Sequence, residues 1–189
     1  GTHNGSVGFA AGKVGQAFRF DGNNSYVALP DNFFPYPTTG TSTAPFSLEL
    51  WFKSSASGVI LVQQLGTPYV STPISHVPAI YVDTAGKLRV ELFWKGLLAP
   101  TVSANSVNDG VFHHLAVVYS GSLQTVYLDG VSIGDSTHTQ TAYTSSYQYQ
   151  WGTGYTKNWP ATNNGWFNFN GLIDEPTIYN RALSPAEVR

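Results

Sequence analysis

The strongest constraint on this chain is a two-residue period. In FSLELWFK, Phe46, Leu48, Leu50 and Phe52 fall on one side of an extended backbone, and Ser47, Glu49, Trp51 and Lys53 on the other. Successive side chains of a strand point to opposite faces, so the pattern predicts a strand with one buried face in an antiparallel sheet. The same period runs through HHLAVVYSGSLQTVYLDG. It predicts strands near His114–Tyr119 and Gln124–Leu128 around a turn at Ser120–Ser122, with Asp129-Gly130 as a hairpin signal. AIYVDTAGKLRVELFW reads as a further hairpin about Asp83–Gly86. There Leu88, Val90, Leu92 and Trp94 share one face, against Arg89, Glu91 and Phe93. QAFRFDG and SYVALP read as a strand pair turning near Asp21–Asn24. The one helix start is SPAEV, where Ser184 can cap, Pro185 suits the first position and Glu187 completes a capping box. Many short strands separated by Gly and Pro predict an all-β fold, a two-sheet antiparallel jelly-roll sandwich.

The 189 residues suit one domain, spanning 1–189. Cysteine is absent, which excludes disulfides and thiolate metal sites. Methionine is absent too, so the sequence reads as a piece of a longer or processed protein. A net charge of -2 and no basic stripe argue against nucleic-acid partners. No apolar run is long enough for a membrane span or signal peptide. The isolated domain is expected to be monomeric.

Three stretches break the alternation: Asp31–Pro45, Gly66–Pro78 and Tyr143–Phe169. The last carries nine aromatic side chains. Long loops in a domain of this size tend to carry function.

The order of segments resembles a known family. GKVGQAFRFDGNNSYVALP, FSLELWFKS, GVILVQQ, VFHHLAVVYSGSLQTVYLDG and GLIDEPTIYNRALSPAEV together resemble the LamG-like jelly rolls of the concanavalin A-like lectin/glucanase superfamily. Two positions depart from that pattern: Phe112 stands where the family usually has Trp, and Pro176 where it usually has Val. Proline cannot donate to a sheet ladder, so Pro176 predicts an edge or a bulge. The resemblance implies stacked antiparallel sheets and an extracellular or cell-surface setting in bacteria. It also implies several functions, since the superfamily holds lectins, carbohydrate-binding and adhesion modules, and glycoside hydrolases.

The residues discriminate among these. Retaining glycosidases need two carboxyl groups about 5–5.5 Å apart. None of the four glutamates, Glu49, Glu91, Glu175 and Glu187, belongs to the alternating acidic motif of the fold's enzymes. Asp174 and Glu175 are adjacent, so a regular strand sends them to opposite faces. His113 and His114 split the same way, one expected packed and one wet. No catalytic residue is assigned. The resemblance implies one structural calcium, with Asp174 and Asp21 as candidate ligands. For sugars, YQYQWGTGYTKNWPATNNGWFNFN interleaves rings with amides. Trp159 is expected at an exposed loop tip, and Trp166, Tyr155 and Asn158 beside it, with Tyr69 from the proline-rich loop. Trp51 and Trp94 are expected to pack. The expected function is a non-catalytic carbohydrate-binding or adhesion module, its partner a poly- or oligosaccharide. The alternative is a structural or protein-interaction spacer whose aromatic loop docks on a neighbouring domain, and a glycoside hydrolase stands third.

Overall fold

The computed structural model describes residues 1–30, 33–34, 40–96, 100–141 and 147–188. Asp31, within the first irregular stretch, and Tyr143, at the start of the third, lie outside the described residues. The strands begin with β1 (Thr2–Asn4), β2 (Gly8–Ala11), β3 (Gln16–Asp21), β4 (Tyr26–Ala28) and β5 (Thr41–Ser42). Then come β6 (Phe46–Ser54), β7 (Gly58–Leu65), β8 (His76–Val82), β9 (Lys87–Val90), β10 (Thr101–Ser106) and β11 (Phe112–Ser120). The last are β12 (Leu123–Leu128), β13 (Val131–Thr137), β14 (Gln140–Thr141), β15 (Tyr147–Trp151) and β16 (Asn170–Tyr179). Two seven-stranded antiparallel sheets result, in the orders β1-β4-β15-β7-β8-β9-β10 and β13-β12-β11-β6-β16-β3-β2, with β5 and β14 as a separate pair. Among the described residues there is no helix.

The β6 alternation is borne out. Phe46, Leu48, Leu50 and Phe52 are all buried, and they lie opposite Tyr119, Val117, Leu115 and His113 of β11. Phe46 stacks on Tyr119 with ring centroids 5.0 Å apart. Facing them across the sandwich are Leu61, Ile80, Val82, Leu88 and Val90 of the first sheet.

The first sheet needs cover on its other side as well. GVILVQQL of β7 is buried almost throughout, with no polar face. The 152–168 segment supplies that cover. A side chain at Gly154 would sit 2.8 Å from Val62 and 2.9 Å from Val59, so glycine lets the segment lie directly on the sheet. Tyr81 donates to Pro160 O at 3.0 Å and Thr84 N to Ala161 O at 2.8 Å.

Several elements differ from the sequence reading. β3 and β4 do not pair with each other. β3 joins β2 and β16 in one sheet, and β4 joins β1 and β15 in the other, so the Asp21–Asn24 turn crosses between layers. The β9 alternation ends early: Leu92 and Phe93 are both fully buried, while Trp94 is 49% exposed. Loss of ladder pairing after Val90 frees the chain from the two-residue period, and Leu92 N donates instead to Gln124 Oε1. SPAEV forms one turn and no helix, although its capping box closes: Ser184 N donates to Glu187 Oε2 at 2.8 Å. Pro176, by contrast, agrees with the sequence reading and lies at a bulge. β16 is central, its register against β6 shifts between Asp174 and Thr177, and Glu175 takes φ 48°.

A buried carboxylate ties the two ends of the chain together. Asp174 Oδ2 accepts Lys13 N at 2.7 Å and Val14 N at 3.0 Å, and Oδ1 accepts Glu175 N at 3.1 Å. A Cβ at Gly12 would collide with that carboxylate, so glycine permits the close approach. A polar network likewise anchors the segment after β9. Glu91, buried, accepts Lys95 N; Lys95 Nζ donates to Ser136; and His138 lies 2.7 Å from the Tyr119 hydroxyl. Burial pushes the Glu91 carboxyl up to about 7. Burial first, and the Lys95 charge second, push His138 down to about 4.

Two predictions follow from these buried groups. Asp174→Ala leaves three amides without their acceptor and costs about 2 kcal/mol in urea unfolding, whereas a loss under about 0.5 kcal/mol contradicts the tie. For pH, Glu91 binds more protons folded than unfolded. Its stabilisation is present below its ordinary 4.5 and is lost as pH rises to about 7. His138 binds fewer protons folded, so its contribution is present above its ordinary 6.5 and is lost as pH falls toward about 4. Relative to wild type, Glu91→Gln therefore gains stability as pH rises from 4.5 to 7, on the order of 2–3 kcal/mol. His138→Gln gains as pH falls from 6.5 to 4. Difference curves from urea titrations across this range check both slopes.

Candidate functional site

The long aromatic segment is a braced loop. Asn163 Oδ1 accepts Thr156 Oγ1 and Gly165 N, while its amide nitrogen donates to Trp166 O at 2.7 Å. Asn158 N donates to Asn164 Oδ1 at 2.7 Å. Asn158, Ala161 and Asn164 all hold left-handed backbone, at φ 67°, 52° and 61°. Such conformations persist where surrounding bonds over-determine them.

Trp159 is not an exposed tip. It is 5% exposed, because the loop folds back on the first sheet and carries the indole into the core. Its ring meets Trp94 edge-on, centroids 5.6 Å apart at 74°. Together they wall a cleft of about 420 Å³, whose other lining includes Ile74, His76, Lys157 and Asn158. That volume falls within the roughly 300–1,000 Å³ of small-ligand sites. Lys157 and Asn158 are exposed. No carboxylate lines the cleft among the described residues. His76 Nε2 donates to Lys157 O at 3.2 Å, and burial lowers its pKa.

Three other expected residues meet on the same face. Tyr69 lies 4.6 Å from Trp166, Trp166 lies 5.4 Å from Tyr155, and Tyr155 lies 5.1 Å from His76, all between ring centroids. Tyr69 takes φ 63°, and its hydroxyl sits 2.6 Å from Asn168 Oδ1 and 2.7 Å from Thr153 Oγ1. Asn158 reaches the cleft rather than this row. Sequence reading missed Trp94, His76 and Ile74. Trp94 was assigned to the packing face by a period that stops before it. His76 and Ile74 lie in or beside the proline-rich stretch, and that composition was their one signal.

A larger groove, about 880 Å³, lies on the outer face of the second sheet, between Trp51, His114 and Tyr127 and the C-terminal turn. Its acids are engaged. Glu49 accepts the Tyr179 hydroxyl at 2.6 Å and lies 3.7 Å from His114 Nε2. Asp129 meets His113 at 2.8 Å, and Glu187 meets Arg181 at 2.8 Å. Lys13 sits over the Trp51 ring at 4.5 Å. His113 and His114 do face opposite ways, against Phe52 and Trp51. Neither is wet, since their side chains are 12% and 14% exposed.

The expected calcium ligands do not fit one ion. Asp21 pairs with Asn170 on the β16 ladder, four residues from Asp174, an offset of roughly 13 Å along the strand. Asp174 directs its oxygens at amide donors, and Asp21 Oδ1 accepts Asn23 N and Ser25 Oγ. Among the described residues no three His, Asp or Glu side chains converge on a metal position.

The melting temperature is therefore expected to be the same in calcium and in chelator, and a rise with calcium overturns the fit test. Trp159→Ala is expected to cost about 3–5 kcal/mol of stability, as for other large core aromatics, read by chemical denaturation.

Comparison with known proteins matches this architecture. A laminin G family model, described as the concanavalin A-like lectin/glucanases superfamily, matches residues 21–189. Domain 4 of AbnA, a GH43 extracellular arabinanase from Geobacillus stearothermophilus solved in complex with arabinotriose, has a TM-score of 0.61 at 22% identity. The match covers 98% of this chain and 80% of that one. A mutant of Trypanosoma rangeli sialidase displaying trans-sialidase activity gives 0.58 at 16% identity, over 100% of this chain and 31% of the sialidase. Mouse laminin alpha1 chain domains LG4-5 give 0.54 at 17% identity, over 89% of this chain and 44% of that one. This chain thus spans less than half of the latter two. At these identities the likeness is one of fold. No curated protein matches the sequence. By its family match and its two-sheet topology, the chain belongs to the concanavalin A-like lectin/glucanase superfamily, as a laminin G-like jelly roll.

Proposed function

We propose that this domain is a non-catalytic carbohydrate-binding module acting outside the cell, with the Trp94–Trp159 cleft as its sugar site. One observation carries the reading. Trp94 is a half-exposed indole, seated edge-on against a buried Trp159, at the wall of a cleft that also presents Lys157 and Asn158. A flat ring with fixed orientation suits the apolar face of a sugar, and the ammonium and amide suit its hydroxyls. Asn158 and Lys157 form no side-chain hydrogen bond or ion pair among the described residues, so their donors remain for a ligand. The similar arabinanase domain was solved with arabinotriose, which supports sugar binding as the class of function.

The acids support binding without cleavage. Asp174 and Glu175 are neighbours at a bulge, yet Asp174 is turned onto amides while Glu175 is exposed. Trp159 is covered by its own chain, so it provides no ring for a neighbouring domain.

A glycan array spanning plant, microbial and animal polysaccharides tests the proposal. Wild type is expected to bind, and Trp94→Ala to bind about tenfold more weakly, the loss of one stacking partner. An array with no wild-type signal, equal binding by Trp94→Ala, or release of reducing sugar that survives repurification overturns it.

A further inference from the structure

We infer that the cleft is one end of a longer path, and that its occupant is a chain of several sugar residues rather than a single sugar. The inference rests on the cleft reading above. His76 belongs to both features: it lines the cleft, and its ring meets Tyr155 at 5.1 Å. From there the rings continue without a gap, through Trp166 to Tyr69, at 5.4 and 4.6 Å. Each step is comparable to the length of one sugar ring. All four residues are only partly buried.

The row is built, not incidental. Tyr69 is held in left-handed backbone, uncommon for a bulky residue, and its hydroxyl is pinned between Asn168 and Thr153. Trp166 pairs across a one-bridge ladder with Tyr155, and Asn163 donates to its carbonyl. These bonds fix ring positions before any ligand arrives, which lowers the ordering cost of binding. Charge agrees with a neutral or acidic chain. The cleft has Lys157 and no carboxylate among its described lining.

A path differs from a pocket in its dependence on chain length. Isothermal titration would use wild type, Trp94→Ala, Trp166→Ala and Tyr155→Ala. The probes are arabino-, xylo- and cello-oligosaccharides from dimer to hexamer. Affinity is expected to rise with length and then level off. Trp94→Ala should weaken every length, while Trp166→Ala and Tyr155→Ala should weaken only the longer oligomers, by about tenfold, and leave the dimer unchanged. Trp166→Leu keeps bulk in the loop while removing the flat ring, and should reproduce the effect if Trp166→Ala fails to fold. A dimer that binds as tightly as a hexamer, or loop variants indistinguishable from wild type on every length, overturns the path and leaves the cleft as a short-sugar site. Binding that survives Trp94→Ala undiminished overturns the cleft itself, and no binding across all three ladders overturns both.

Discussion

The first sheet is apolar on both sides, and the rest of the molecule answers to that. Its inner side faces the second sheet and forms an ordinary sandwich core. Its outer side carries Val59, Val62 and Tyr81, all fully buried. A strand such as β7 cannot be left with one face in water, so a segment of chain must lie across it. The 152–168 loop does so, and the requirement to cover apolar surface places an aromatic-rich, internally hydrogen-bonded loop on the surface. The geometry of the proposed site follows from a packing need.

The same requirement sorts the aromatics into two kinds. Trp159 and Phe167 turn inward and provide the burial that holds the loop down. Tyr155, Trp166 and Tyr69 remain at the boundary, half-covered and locked by hydrogen bonds. Trp94 arrives from the segment after β9, which a polar network of Glu91, Lys95, Ser136 and Gln124 anchors outside the ladder. A site assembled from three separate segments can be rigid because each is tied independently to the scaffold.

The second sheet handles its outer face differently. The C-terminal turn lays Leu183 and Val188 over Ala116 and Val118, and leaves a groove beside them. The acids there are satisfied by Tyr179, histidines and Arg181, so their charge is spent within the fold. Opposite faces of one sandwich thus differ in charge and in the engagement of their polar groups.

Much of the fold was legible in the chain because strand patterning is local. Phe46 to Phe52 alternate because each must choose a face, and the partner strand repeats the choice. What local pattern could not specify was pairing across distance. Whether β3 and β4 join or part depends on which sheet offers each a partner. Asp174 showed its acidity in the sequence but not the amides of Lys13 and Val14, which lie some 160 residues away and let it tie the two ends of the chain together. The aromatic loop declared itself by composition, yet only tertiary packing decided which rings reach water, since burial is a property of the surface a residue lands on and not of its neighbours in sequence.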